Sequence, residues 1–275
     1  MLYRINFSDL KLTLEIAASM PDAADFFQGP NGRLAYRRRN GAGPGVVWLG
    51  GFRSDMLGTK AEFLDEWARE NARSYLRFDY SGHGESEGLF TDGAISAWAA
   101  DALSVLDELT SGPQILIGSS MGGWVTALLA KQRPERIAGI VFIAPAPDFT
   151  ELLMWPAFTE TQRETIMREG KLEQPSDYSD EPEIITKKLI EDGRANLVMT
   201  GDISIACPVR IIQGMKDDAV PYAHALRFAQ MLQSEDIEIT LTPNGDHRLS
   251  EPPDLSRLAH VLETLIEELD QSESV

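Results

Sequence analysis

Across 275 residues the chain carries 43 acidic against 25 basic side chains, a formal charge of −18 and a pI near 4.6. That balance argues against a nucleic-acid partner and against an anionic membrane surface, both of which need a basic face. A hydrophobic content of 43% supports a sizeable core, while the one cysteine, Cys207, precludes an internal disulfide and any cysteine-based metal site.

No apolar run approaches the roughly 18 residues of a membrane span. Asp9, Glu15, Asp22 and Asp25 fit the start of the chain to neither a secretory signal nor a transit peptide. Residues 1–25 read as an N-terminal extension, with 1–19 expected to come from a misassigned start and to add nothing to the fold.

The first recognisable unit is a hairpin. Phe26-Phe27-Gln28 and Arg33 to Arg39 flank Gly29-Pro30-Asn31-Gly32, and Asn-Gly is a strong turn signal. The second strand alternates loosely and is expected at a sheet edge, its arginines solvating that edge. Val46 to Leu49 predicts a buried strand leading into Gly50-Gly51-Phe52-Arg53, and a helix follows over roughly 59–72. Ser74 to Tyr80 is the next strand. The apolar stripe Ile95, Trp98, Ala99, Ala102, Leu103 and Leu106 places a helix over roughly 95–110.

The chain is then organised around Gly118-Ser119-Ser120-Met121-Gly122. Gln114 to Ile117 before it reads as a buried strand, and Gly123 to Lys131 after it has helical spacing. Strand, G-x-S-x-G and helix form the context of a nucleophile elbow, with the central serine exposed on a strained turn at a helix N-terminus. Ile137 to Ala144 is another buried strand. From Pro145 to Ala206 the composition turns to Glu, Met and Pro. This stretch is expected to be a strandless lid (about 146–206), with helices near 159–169 and 182–192. A strand at Val209 to Gln213, a helix over about 222–233, a strand at Ile237 to Leu241 and a helix over about 254–270 close the chain before a polar, frayed tail. Alternating strands and helices specify an α/β class with a mostly parallel central sheet and helices on both faces. Catalytic groups then belong at the carboxyl ends of strands.

A serine hydroxyl needs a base within reach and a group to orient that base. Of four histidines, His224 and His260 fall inside predicted helices and read as surface or helix-face residues. His83 sits in a glycine-flanked turn and reads as structural. His247, in Asn244-Gly245-Asp246-His247-Arg248, is placed at a late strand end and is the candidate base. Gly214-Met215-Lys216-Asp217-Asp218 offers the acid. Asp217 has the spacing of the acid-bearing turn, Asp218 is expected to cap the following helix, and Asp148 is an outside candidate. Asp246 reads as a turn former. The oxyanion needs two backbone N–H donors, which would be Phe52 and Met121.

The order Ser, Asp, His with G-x-S-x-G resembles the α/β-hydrolase superfamily, and Asp79 to Ser86 matches its D-x-x-G-x-G-x-S turn. Gly51 to Ala61, Arg77 to Gly82, Ile117 to Trp124, Cys207 to Arg210, Gly214 to Asp217 and Asp246 to Arg248 are similar to one subfamily. That subfamily holds the mitochondrial palmitoyl-protein thioesterase that also cleaves the acyl glucuronide of mycophenolic acid, with bacterial relatives. The likeness runs from about residue 26 to the C-terminus and is weaker in the lid. Gly50 stands where many members have histidine.

The resemblance implies an α/β-hydrolase domain over 26–275 and a serine esterase or thioesterase acting through an acyl-enzyme, with no metal or cofactor. Its partner would be a small acyl ester or thioester, acylated proteins included, and the chain a monomer or small homo-oligomer. It would be cytoplasmic if bacterial and mitochondrial if eukaryotic. Phe149, Leu152, Leu153, Met154, Trp155, Phe158 and Met167 could wall an acyl pocket or simply pack lid on body. Arg53 could meet an anionic leaving group or serve a surface salt bridge. Rival readings are a peptidase or carbon–carbon bond hydrolase on the same triad, and a non-catalytic binding protein on the same fold.

Overall fold

The Asn31-Gly32 turn closes a hairpin of β1 (Asp25–Gly29) on β2 (Gly32–Arg39). The computed structural model describes residues 23–175 and 182–272. Of the expected extension over 1–25, residues 1–22 lie outside them, as does the tail after Ser272, whereas Asp25 belongs to β1 and not to an extension. β3 (Ala42–Leu49), β4 (Arg73–Phe78), β5 (Gln114–Ser119), β6 (Ile137–Ile143), β9 (Val209–Gly214) and β10 (Ile237–Thr242) complete one sheet, ordered β1-β2-β4-β3-β5-β6-β9-β10. From β4 onward every pairing is parallel.

The period of two along each central strand divides the core. Val47 and Leu49, Leu116, Ile140 and Phe142, and Ile211 face one side. There they meet α2 (Ile95–Leu109), α3 (Met121–Gln132) and α6 (Tyr222–Met231). Val46 and Trp48, Ile115 and Ile117, Val141 and Ile143, and Ile212 face the other. There they meet α1 (Thr59–Glu70) and α7 (Pro252–Ser272). Each such side chain, fully buried, contributes about 1.5–3 kcal/mol. This two-sided burial is why the strands read as continuous apolar runs.

β3 lies between β4 and β5. The chain therefore leaves β3 in one direction and returns on its other side, opening a crevice at the carboxyl ends of β3 and β5.

Three expectations about the fold are corrected. The strand Gly32–Arg39 is not an edge, because β1 covers it on one side and β4 pairs antiparallel on the other. Its arginines are accordingly engaged: Arg37 Nη2 is 3.1 Å from Glu85 Oε1, and Arg39 Nε is 2.8 Å from Asp65 Oδ1. The segment between β6 and β9 is not strandless. β7 (Lys171–Gln174) pairs antiparallel with β8 (Glu183–Thr186), and Ile184-Ile185-Thr186 supplies the β-branched run. The helix expected near 182 therefore begins later, as α5 (Lys187–Ala195), where the Thr186 side chain accepts from Leu189 N. Third, α7 runs to Ser272, past the predicted end. The other helix of this segment, α4 (Glu160–Glu169), starts in a capping box of Thr159 and Gln162. Among the described residues no helix is long and apolar enough to cross a membrane.

Candidate active site

Ser120 joins β5 to α3 with φ 55° and ψ −118°, in the left-handed half of the map that a residue with a Cβ enters only under constraint. The constraint is local. Ser120 N donates to Ile143 O at 2.9 Å, and Ser120 O accepts from Gly123 N and Ala146 N. The flanking glycines are a steric requirement. A Cβ on Gly118 would lie 2.5 Å from Thr126 Oγ1, and one on Gly122 would overlap the Leu49 carbonyl oxygen. Side chains at either place would push α3 off the sheet and move Ser120 with it.

His247 and Asp217 meet this serine from the ends of β10 and β9. His247 Nε2 is 3.0 Å from Ser120 Oγ, and His247 Nδ1 is 2.8 Å from Asp217 Oδ2. A carboxylate only accepts, so Nδ1 carries the proton and the Nε2 lone pair faces the serine hydroxyl. The Asp217 side chain is completely buried while 24% of His247 stays open to solvent. Asp217 Oδ1 accepts from Ala219 N at 3.0 Å and Val220 N at 2.7 Å, fixing the carboxylate on its own turn. Asp218 is exposed and does not cap α6, whose N-cap is Pro221 with no side-chain bond.

The Gly50-Gly51-Phe52 turn lies against the serine: a Cβ on Gly51 would be 3.4 Å from Ser120 Cβ. Met121 is the first residue of α3, where an N–H has no partner within its helix. The Phe52 ring is held by Phe90 (4.9 Å), Phe149 (5.6 Å) and Trp98 (6.0 Å). Asp79 braces the stretch just beyond. It accepts from Met56 N at 2.7 Å and Glu85 N at 2.8 Å, and burial pushes its carboxyl up to about 6. The chain after His247 is tied by Lys60, whose ammonium donates to Arg248 O and, at 3.3 Å, to Ser250 Oγ. Burial brings that ammonium down to about 8.

The remaining candidates have other surroundings. Asp148, at φ 57°, accepts from Val198 N (2.9 Å) and Met199 N (2.7 Å), and so clips the end of the 145–206 segment to its beginning. His224 is buried and not at the surface, because Pro147 O lies 2.9 Å from its Nε2. His260 is exposed, and Asp246 Oδ1 accepts from Leu249 N in its turn.

Phe149 is buried between Phe52 and Trp124. Met154 and Trp155 pack on a separate cluster of Phe158, Ile166, Ile185 and Ile190, which Phe52 also touches. Trp155 lies between Arg194 (4.4 Å) and Arg163 (5.6 Å). Met167 is exposed. Arg53, at φ 58°, makes no described ion pair. Its guanidinium lies 5.3 Å over Phe90, and Nη1 donates to Pro182 O at 3.3 Å. Among the described residues no group of three or more His, Cys, Asp or Glu side chains is arranged to hold a metal ion.

His83 is structural, its ring 5.1–5.6 Å from Phe90, Trp98 and Tyr80, and burial holds its imidazole down near 4. An unfolded chain takes up that proton near pH 6.5 and the native chain only near pH 4, so acid between these values favours unfolding. His83→Phe removes this contribution, on the order of 3 kcal/mol. The melting temperature of the variant relative to the parent is expected to climb as pH falls from 6.5 to 4; parallel profiles would contradict this.

Residues 43–258 match the model of the alpha/beta hydrolase family. The chain is 37% identical over 239 residues to the bovine protein named palmitoyl-protein thioesterase ABHD10, mitochondrial, an alignment covering 86% of this chain and 77% of that one. A crystal structure from Agrobacterium vitis S4 superposes with a TM-score of 0.85 at 43% identity, covering 90% of this chain and 100% of the other. Mouse alpha/beta hydrolase domain-containing protein 10 superposes with a TM-score of 0.83 at 33% identity, over 90% and 99% of the two chains.

Proposed function

The chain belongs to the alpha/beta hydrolase family, and on that footing we propose that it is a serine hydrolase that cleaves carboxylic esters or thioesters of acyl groups through an acyl-enzyme on Ser120. The observation that carries this reading is the unbroken line from Asp217 Oδ2 through both nitrogens of His247 to Ser120 Oγ, at 2.8 and 3.0 Å.

Ser120 Oγ attacks the acyl carbonyl as His247 Nε2 takes its proton. Asp217 holds the imidazole in the productive tautomer and stabilises the imidazolium that forms. The Phe52 and Met121 N–H groups take the negative charge of the tetrahedral oxygen, helped by the positive end of α3. Collapse expels the alcohol or thiol, protonated by His247, and leaves Ser120 acylated. Water, deprotonated by His247, then attacks the acyl carbonyl; the second collapse releases the carboxylic acid and restores the serine.

Phe149, Met154 and Trp155 line the acyl side in this reading, with the 145–206 segment as a lid. The thioester preference rests on the name of the mammalian relatives. A peptidase or a carbon–carbon bond hydrolase would share the three side chains but lacks that support.

The test is a panel of p-nitrophenyl esters and acyl thioesters of rising chain length beside an aminoacyl amide. Turnover of esters and thioesters, with the amide untouched, is expected. Cleavage of the amide alone, or of nothing, sinks the proposal.

A further inference from the structure

We propose that Gln213 is a positioning residue for this reaction, acting through the carboxylate of Asp217. The proposal rests on the triad reading above.

Gln213 is the fifth residue of β9 and fully buried. Its Nε2 lies 3.1 Å from Asp217 Oδ2, the same oxygen that meets His247 Nδ1. It also lies 3.1 Å from Gly214 O and from Val220 O. Three acceptors therefore surround the nitrogen, and they fix which way the amide faces. Reversing it would bring its own oxygen against all three.

This orientation has a cost. Among the described residues Gln213 Oε1, also buried, meets no hydrogen-bond donor.

What the other end does follows from the contacts. Gly214 O and Val220 O open and close the turn that carries Asp217, so the amide stitches that turn from inside. Backbone N–H groups of the same turn hold Oδ1, and Gln213 is the side chain that holds Oδ2 from the protein side. The neighbours Met215, Lys216 and Asp218 are exposed. The imidazole of His247 thus meets an oxygen already held in place and already sharing its charge with an amide proton. Withdrawing that proton leaves Oδ2 a stronger and looser acceptor. The imidazolium is then favoured, and the base is less often free and correctly turned.

The test compares Gln213→Met, similar in length but without a donor, with the parent on a p-nitrophenyl ester. Rates are normalised to the sites titrated by a fluorophosphonate, so that a misfolded fraction does not count. The expected result is a fall in kcat of about tenfold with KM within about twofold, as for groups that orient a reacting side chain. The acid limb of the kcat/KM profile moves alkaline by about half a pH unit, because the carboxylate is less neutralised.

Gln213→Glu keeps the shape and is the second variant. Its carboxyl donates to Oδ2 while protonated and repels it once ionised, so the alkaline plateau is expected to become a falling limb. A purely structural role predicts an unmoved acid limb or an unchanged rate per titrated site in Gln213→Met. Either result overturns the proposal. Failure of the triad reading looks different: the parent itself then leaves Ser120 unlabelled.

Discussion

Ser120→Ala is expected to lower kcat by about 10^6-fold on any ester that the parent turns over, with little change in KM. The size follows from what is removed. The hydroxyl is the only atom of the site that forms a bond to substrate in the proposed reaction. His247 then has only solvent water to activate, and the nucleophile it meets at 3.0 Å is gone. The fold is expected to be unaffected, because the bonds that hold residue 120 are backbone bonds, to Ile143 O and from Gly123 N and Ala146 N. Alanine at φ 55° carries the same Cβ as serine and meets the same strain. Matching circular dichroism and a melting temperature within a few degrees, together with lost turnover, are the expected pair of results. Retained turnover would show that another nucleophile does the work.

Asp217→Asn is expected to lower kcat by about 10^4-fold, and the surroundings say why. The N–H groups of Ala219 and Val220 both point at the Oδ1 position, so the asparagine oxygen must settle there. The NH2 group then occupies the Oδ2 position and presents a donor to His247 Nδ1. Nδ1 has to accept, the ring proton moves to Nε2, and the nitrogen facing Ser120 no longer takes a proton. The Gln213 amide, aimed at the same place, meets a second donor. The variant is expected to fold and to bind substrate with KM close to the parent value. A loss under tenfold would mean that the imidazole is oriented by something other than this carboxylate.

The parts of this arrangement that could be read from sequence are those whose cause is local. Gly118 and Gly122 are demanded by a turn five residues long, and the apolar runs before and after it by burial on both sheet faces. His247 is distinguished from the other histidines by its place after the last strand, and it lies within 3.0 Å of Ser120 Oγ and 2.8 Å of Asp217 Oδ2. Asp217 and Asp218 are adjacent in sequence, and the spacing of the acid-bearing turn favours Asp217, which is buried on the Ala219 and Val220 N–H groups while Asp218 is in solvent.

What could not be read depends on partners far along the chain. His224 falls within a helical stripe and is buried because Pro147 O, 77 residues away, meets it. Gly32–Arg39 alternates only loosely, yet it lies between β1 and β4, with Arg37 and Arg39 paired to Glu85 and Asp65. β7 and β8 are four residues each, too short to show a period before they pair. Gln213 gave no signal because an amide in an apolar strand has no chemistry until its three acceptors are in view.

In the proposed reaction one hydroxyl, that of Ser120, becomes covalently acylated. The most direct measurement is mass spectrometry of the whole chain, and of its peptides, after rapid acid quench from an excess of p-nitrophenyl acyl ester. One added acyl group per chain is expected, carried on the peptide containing Ser120 and absent from Ser120→Ala. Steady turnover with no acylated chain, or an acyl group on another residue such as Cys207, would contradict it.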